Sequence, residues 1–138
     1  MDLKLKVKGE WYFEEGETIR GPFSNFVTVT GVQRMATLIQ GLSSPFLVLG
    51  TDITTGEVIT EVFRKPVSSV LVSGNLVRFR TQLFPEEANG NFQKASIFVE
   101  GTSTPSTGIM FNLLRRPFSK STNTVMTIEA RITIQGGE

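Results

Sequence analysis

Leu76-Val77-Arg78-Phe79-Arg80-Thr81-Gln82-Leu83-Phe84 decides the fold, because its residues alternate with period two. Val77, Phe79, Thr81 and Leu83 share one face and Arg78, Arg80 and Gln82 the other, as in a strand with one side on a core and one in water. Immediately upstream, Ser73-Gly74-Asn75 joins this run to Val67–Val72 at hairpin length. Far downstream, Met126, Ile128, Ala130, Ile132 and Ile134 alternate with Thr127, Glu129, Arg131 and Thr133 in the same way. Before and between these anchors the chain offers further candidate strands at 46–49, 58–63, 92–99 and 109–114, separated by Gly, Pro, Asn and Ser. Ala88-Asn89-Gly90-Asn91 contains an Asn-Gly pair suited to positive φ. The stretch 101–108, rich in Thr, Ser and Pro, reads as a mobile or contact loop, and 116–123 as a polar connection.

The N-terminal part opens with Leu3, Leu5 and Val7 alternating with Lys4, Lys6 and Lys8. This pattern predicts a half-buried strand at a sheet edge, where charges discourage uncontrolled pairing through exposed N–H and C=O groups. The lysine row faces water or an acidic partner. Trp11, Tyr12 and Phe13 are expected to extend or pair with this strand before a turn at Glu15-Gly16-Glu17. A short strand is expected from Asn25 to Thr30, with Thr30 as N-cap of a helix near residues 32–41. Val32, Met35, Leu38, Ile39 and Leu42 form its apolar stripe, and Gly41 its stop. Many strands and one early helix predict a mainly β fold, an antiparallel β-sandwich or barrel. The 138 residues fit a single domain, 1–138, with 1–24 as an N-terminal strand or hairpin region available as an edge or arm in assembly.

Composition removes whole classes of function. Fourteen basic against 13 acidic residues give a net charge of +1, without the concentrated basic field that nucleic-acid binding needs. The first residues alternate apolar and charged, so no secretory signal is expected, and no apolar run approaches the roughly 20 residues of a membrane-spanning helix. Histidine and cysteine are both absent, which excludes a Ser-His-Asp triad, a Cys-His pair and the usual zinc sites. The carboxylate pairs Glu14/Glu15 and Glu86/Glu87 are sequence neighbours, which point apart in a strand and face water in a turn. Ser119-Lys120 lies in a polar stretch without an oxyanion-hole signature. Asp52 and Glu57 flank Thr54-Thr55-Gly56, a spacing that admits a shared calcium ion, although two carboxylates in a turn are usually only solvated. No phosphate-cradling glycine motif occurs, and no catalytic residue, cofactor or metal is assigned. Eleven phenylalanines against one tryptophan and one tyrosine favour dry packing over sugar platforms, with Trp11-Tyr12 the one pair able to stack on a glycan.

From Asn25 to Gln135 the order of motifs resembles small β-sandwich structural proteins of tailed-bacteriophage virions. The likeness runs through Val27-Thr28-Val29-Thr30-Gly31-Val32-Gln33, Leu38-Ile39-Gln40-Gly41-Leu42 and the strand ending in Leu49-Gly50-Thr51. It continues through Glu61-Val62-Phe63-Arg64-Lys65-Pro66-Val67, the turn Glu87-Ala88-Asn89-Gly90-Asn91-Phe92, and the closing pair 111–120 and 125–134. Lys94 stands where the family's pattern has an acidic residue, and Ala130 where an aromatic one is common.

The resemblance implies a non-enzymatic virion structural protein, foremost an exterior capsid decoration or cement protein. The alternatives are a tail-associated component at a fibre base, neck or baseplate and, more remotely, a carbohydrate-binding adhesin module. Expected partners are the major capsid protein or tail proteins and further copies of the chain, a trimer being one such oligomer, with no nucleic acid and no membrane. The expected location is the virion, after synthesis in the host cytoplasm. Candidate contact residues are Leu3, Lys4, Leu5, Lys6 and Val7 on the edge strand, Thr104 and Pro105 in the 101–108 loop, and Arg115 and Arg116 at a strand end.

Overall fold

The structure, a computed structural model, describes residues 2–7, 9–25 and 27–136, the side chains of Asp2, Leu3 and Trp11 excepted. In chain order its elements are β1 (Asp2–Lys6), β2 (Gly9–Glu15), β3 (Thr18–Asn25), α1 (Val29–Gln40), β4 (Phe46–Gly50), β5 (Glu61–Pro66) and β6 (Ser69–Ser73). β7 (Leu76–Leu83), β8 (Gly90–Val99), β9 (Ile109–Met110), β10 (Leu114–Lys120) and β11 (Met126–Gln135) complete them. The fold is mainly β with one short helix, as the alternating runs require. The strands form sheets of order β1-β11-β7-β6 and β10-β8-β4-β5, β9 pairing with β8, and a two-stranded sheet β2-β3.

Two compact units divide the chain: Met1–Gln40 with Leu71–Arg78 and Arg131–Glu138, and Gly41–Val70 with Phe79–Ala130. In the first, β1 runs parallel to the end of β11, Leu3 opposite Ile132 and Leu5 opposite Ile134, and Val7 extends the pairing by donating its N–H to the Gln135 carbonyl at 2.8 Å. β1 is the terminal strand of its sheet, as its lysine row implies. Leu5, expected to point into a core, is instead exposed, because it sits on a strand paired on one side only.

The helix starts earlier than the sequence implies. Thr28, not Thr30, is the N-cap: its hydroxyl accepts the Gly31 N–H at 3.1 Å and its carbonyl the Val32 N–H at 3.0 Å. Residues 27–30 are therefore spent on the cap and first turn, and the expected strand from Asn25 to Thr30 does not form, its Phe26 lying outside the described residues. The buried stripe is Val32 and Ala36, with Ile39 half-buried, while Met35 and Leu38 face solvent. Val77, Ile132 and Ile134 are the other fully buried apolar residues among those described in this unit.

In the second unit β4 is buried along its whole length, because it is paired on both sides, with β5 and with β8. A continuous Phe-Leu-Val-Leu run is what such a central strand demands. Phe46, Val48 and Phe98 cluster there, with Ile59 and Met110 packed against them. The face of β7 behaves as its alternation predicts, with Phe79, Thr81 and Leu83 all buried. The Ala88–Asn91 turn carries the chain from β7 to β8, which belong to different sheets, with positive φ at Ala88 and Gly90.

Candidate functional site

The polar chemistry of the second unit is gathered around two cations. Lys94 on β8 is buried, and its ammonium reaches Asp52 Oδ2 at 2.7 Å, the Thr54 carbonyl at 2.8 Å and the Val58 carbonyl at 2.7 Å. One carboxylate and two backbone carbonyls are the oxygen donors a calcium ion would use, so the lysine occupies the position read from Asp52 and Glu57 as a cation site. Glu57 itself is exposed. Asp52 also accepts the Thr60 N–H at 2.6 Å and the Thr54 hydroxyl. Its carboxyl is held well below the usual carboxylate range, first by Lys94, then by Thr54 and Thr60.

Arg64 on β5 is the second cation. Its Nε and Nη2 bind Glu61 side-on at 2.7 and 2.9 Å, and its Nη1 donates to the Thr102 and Thr107 carbonyls at 2.8 and 3.0 Å. Phe46 and Phe98 present their rings to the guanidinium at 5.4 and 5.2 Å. Glu61 also accepts the Ser106 N–H at 3.1 Å. The loop read as mobile is thus fastened at its base, while Thr104 and Pro105 at its crest stay exposed.

The polar connection read at 116–123 is mostly strand. β10 runs through Arg115, Arg116 and Pro117, pairing Arg115 with Lys94 and Phe118 with Phe92, with a register shift between them that accommodates the proline. Arg115 and Arg116 are exposed on this terminal strand, beside a depression of about 180 Å³ bordered by Asp52, Ile53 and Gln93. Arg115 donates to the Gly56 carbonyl, which ties it to the Lys94-centred loop. Ser119 and Lys120 point to opposite faces: Ser119 is exposed, whereas Lys120 is buried and holds the Asn89 amide oxygen at 2.9 Å. Glu86 and Glu87 likewise part. Glu87 takes Lys65 at 2.6 Å and the Phe84 N–H at 2.9 Å, which lower its titration, the lysine most, and keep it ionised; Glu86 is exposed.

The candidate contact residues fall into separate groups. Leu3 to Val7 lie in the first unit, where Lys4, Leu5 and Lys6 are exposed, Val7 is half-buried and the Leu3 side chain lies outside the described residues. In the second unit, Arg115 pairs beside Lys94, whereas the Thr104/Pro105 loop begins beyond Val99, about 16 Å farther along β8 at 3.3 Å per residue. Within the second unit, these two groups do not form one patch.

The sequence marks 1–24 as a strand or hairpin region but does not show how much apolar surface it exposes. β2 pairs antiparallel with β3, not with β1, turning at Gly16 with φ of 60°. Every described side chain from Glu10 to Ser24 is exposed, including Tyr12 (53%), Phe13 (54%), Ile19 (64%) and Phe23 (50%). Phe13 and Phe23 meet across the pair with ring centroids 5.9 Å apart and planes tilted by 59°. Tyr12 donates its hydroxyl to Glu10 at 3.0 Å, while the side chain of Trp11, the other residue proposed to stack on a glycan, lies outside the described residues. The available signal was the Glu-Glu-Gly-Glu turn with aromatic residues on both sides of it. Comparison with known proteins found no matching family model and no matching curated protein.

Proposed function

We propose that this chain is a non-enzymatic structural component of a tailed-phage virion, foremost a decoration protein that binds the exterior of the assembled capsid. The observation that carries the reading is the β2–β3 hairpin, which exposes four large apolar side chains on a two-stranded sheet. Such hairpins are marginal alone in water, and exposed apolar clusters of this kind mark association surfaces. The order of sequence motifs supplies the setting. The terminal strands β1 and β10 supply further edges for strand addition. Binding is then the whole mechanism: a ligand that favours the assembled shell stabilises it by mass action, and modest contacts repeated over a lattice suffice.

The buried cations fit a protein made to be rigid. Lys94 and Arg64 each fasten a long loop with charge-assisted hydrogen bonds, and Glu87 is held ionised, opposite to what a general acid needs. The test is cosedimentation of the purified chain with empty capsids and with isolated tails of the phage that encodes it. Pelleting with capsids supports decoration, and pelleting with tails alone moves the chain to a tail-associated role. Binding to neither overturns the virion reading.

A further inference from the structure

We propose that the β2–β3 hairpin of one copy docks along the free edge of β1 in a second copy. β1 is paired on one side, by β11, and no described strand covers its other edge. Lys4 and Lys6 lie two apart on the same strand face, and both are exposed. The hairpin has the opposite charge: Glu10, Glu14, Glu15 and Glu17 against Arg20.

The two edges of the hairpin are not equivalent. β3 contains Pro22, which lacks an N–H, and the register with β2 shifts between Trp11 and Phe13 near that proline. β2 has no proline, so its edge is the one able to continue a ladder. Glu10 and Glu14 share a face of β2 by the period of two, as Lys4 and Lys6 do on β1. Docking β2 beside β1 therefore opposes acidic to basic rows, and adds apolar contact between Leu5 and the aromatic residues of the hairpin, which are exposed in the single copy. Both halves of the contact lie on every copy, so the association is head-to-tail and closes as a ring or grows as a chain. It does not depend on which particle the assembly joins.

Sedimentation velocity of the full chain tests the proposal without any capsid. The wild type is expected to form oligomers that dissociate as salt rises from 0.1 to 1 M. Lys4→Glu/Lys6→Glu and Glu10→Lys/Glu14→Lys are each expected to weaken association about tenfold or more, since opposed charges become repulsive. All four positions are exposed, so the fold is retained, and circular dichroism checks this. Mixing the two variants restores association, because each then meets a complementary edge on the other. A monomeric wild type at high concentration, or oligomers indifferent to both reversals and to mixing, overturns the proposal. Both readings draw on the hairpin, but capsid binding is read by cosedimentation and copy–copy association by sedimentation velocity, so each fails by its own measurement.

Discussion

Lys94 stands on β8 in a buried position, where a charged side chain is tolerated only with its donors fully used. Asp52 and two backbone carbonyls use them, so the lysine fastens residues 52–58 onto the sheet. Because the folded-state titration of Asp52 is lowered, the unfolded chain takes up protons first as pH falls. The stabilisation is complete above about pH 5, begins to decline near pH 4 and keeps declining toward the folded-state value. Urea midpoints of the wild type and Asp52→Asn are expected to differ at pH 7, with the difference narrowing progressively as pH falls below about 4. Arg64 and Glu61 are buried together, with side chains only 3% and 6% exposed. Arg64→Met leaves the carboxylate uncompensated and is expected to cost about 3–5 kcal/mol in urea unfolding, with the 101–108 loop exchanging its amides faster. Thr81 is the opposite case: its buried hydroxyl finds no partner among the described residues, so Thr81→Val is expected to gain about 1 kcal/mol. Glu61 and Arg64 are three residues apart in the sequence, whereas Lys94 and Asp52 are joined only by the tertiary fold and leave no local signal.

At the scale of elements, legibility followed burial. β4, β7, β8 and β11 were readable because their apolar runs or alternation reflect a core. β3 and β10 were not, because β3 is exposed nearly throughout and both contain proline. The strand expected at 58–63 begins instead at Glu61, because Asp52 and Lys94 hold residues before it as a loop. The strand expected at 109–114 breaks after Met110, where Asn112 takes over the ladder: its side-chain oxygen accepts the Ile97 N–H at 2.7 Å, and its carbonyl accepts the Ser96 hydroxyl at 2.5 Å. The helix was readable but its start was not, two threonines competing for the cap. Thr28→Ala is expected to cost about 1 kcal/mol, measured by thermal unfolding, and Thr30→Ala much less. Ile19→Ser on the exposed hairpin is expected to change stability by no more than about 0.5 kcal/mol while weakening capsid cosedimentation, which separates a contact residue from a structural one.

For the whole molecule, the mainly β class was legible and the contact surfaces only in part. The β1 edge followed from its lysines and a strand or hairpin region from the turn at Glu15-Gly16-Glu17, but the exposure of the hairpin's apolar residues did not, because such residues on a two-stranded sheet imitate a core pattern. The virion reading joins that surface to the motif order, and it stands or falls on binding to a particle. The decisive measurement is cosedimentation of the purified chain with empty capsids and isolated tails, the pelleted fraction titrated against added protein. The expected result is saturable binding to capsids at a fixed number of copies per shell, lost when Tyr12, Phe13 and Phe23 are replaced by serine. A chain that stays in the supernatant with both capsids and tails contradicts it.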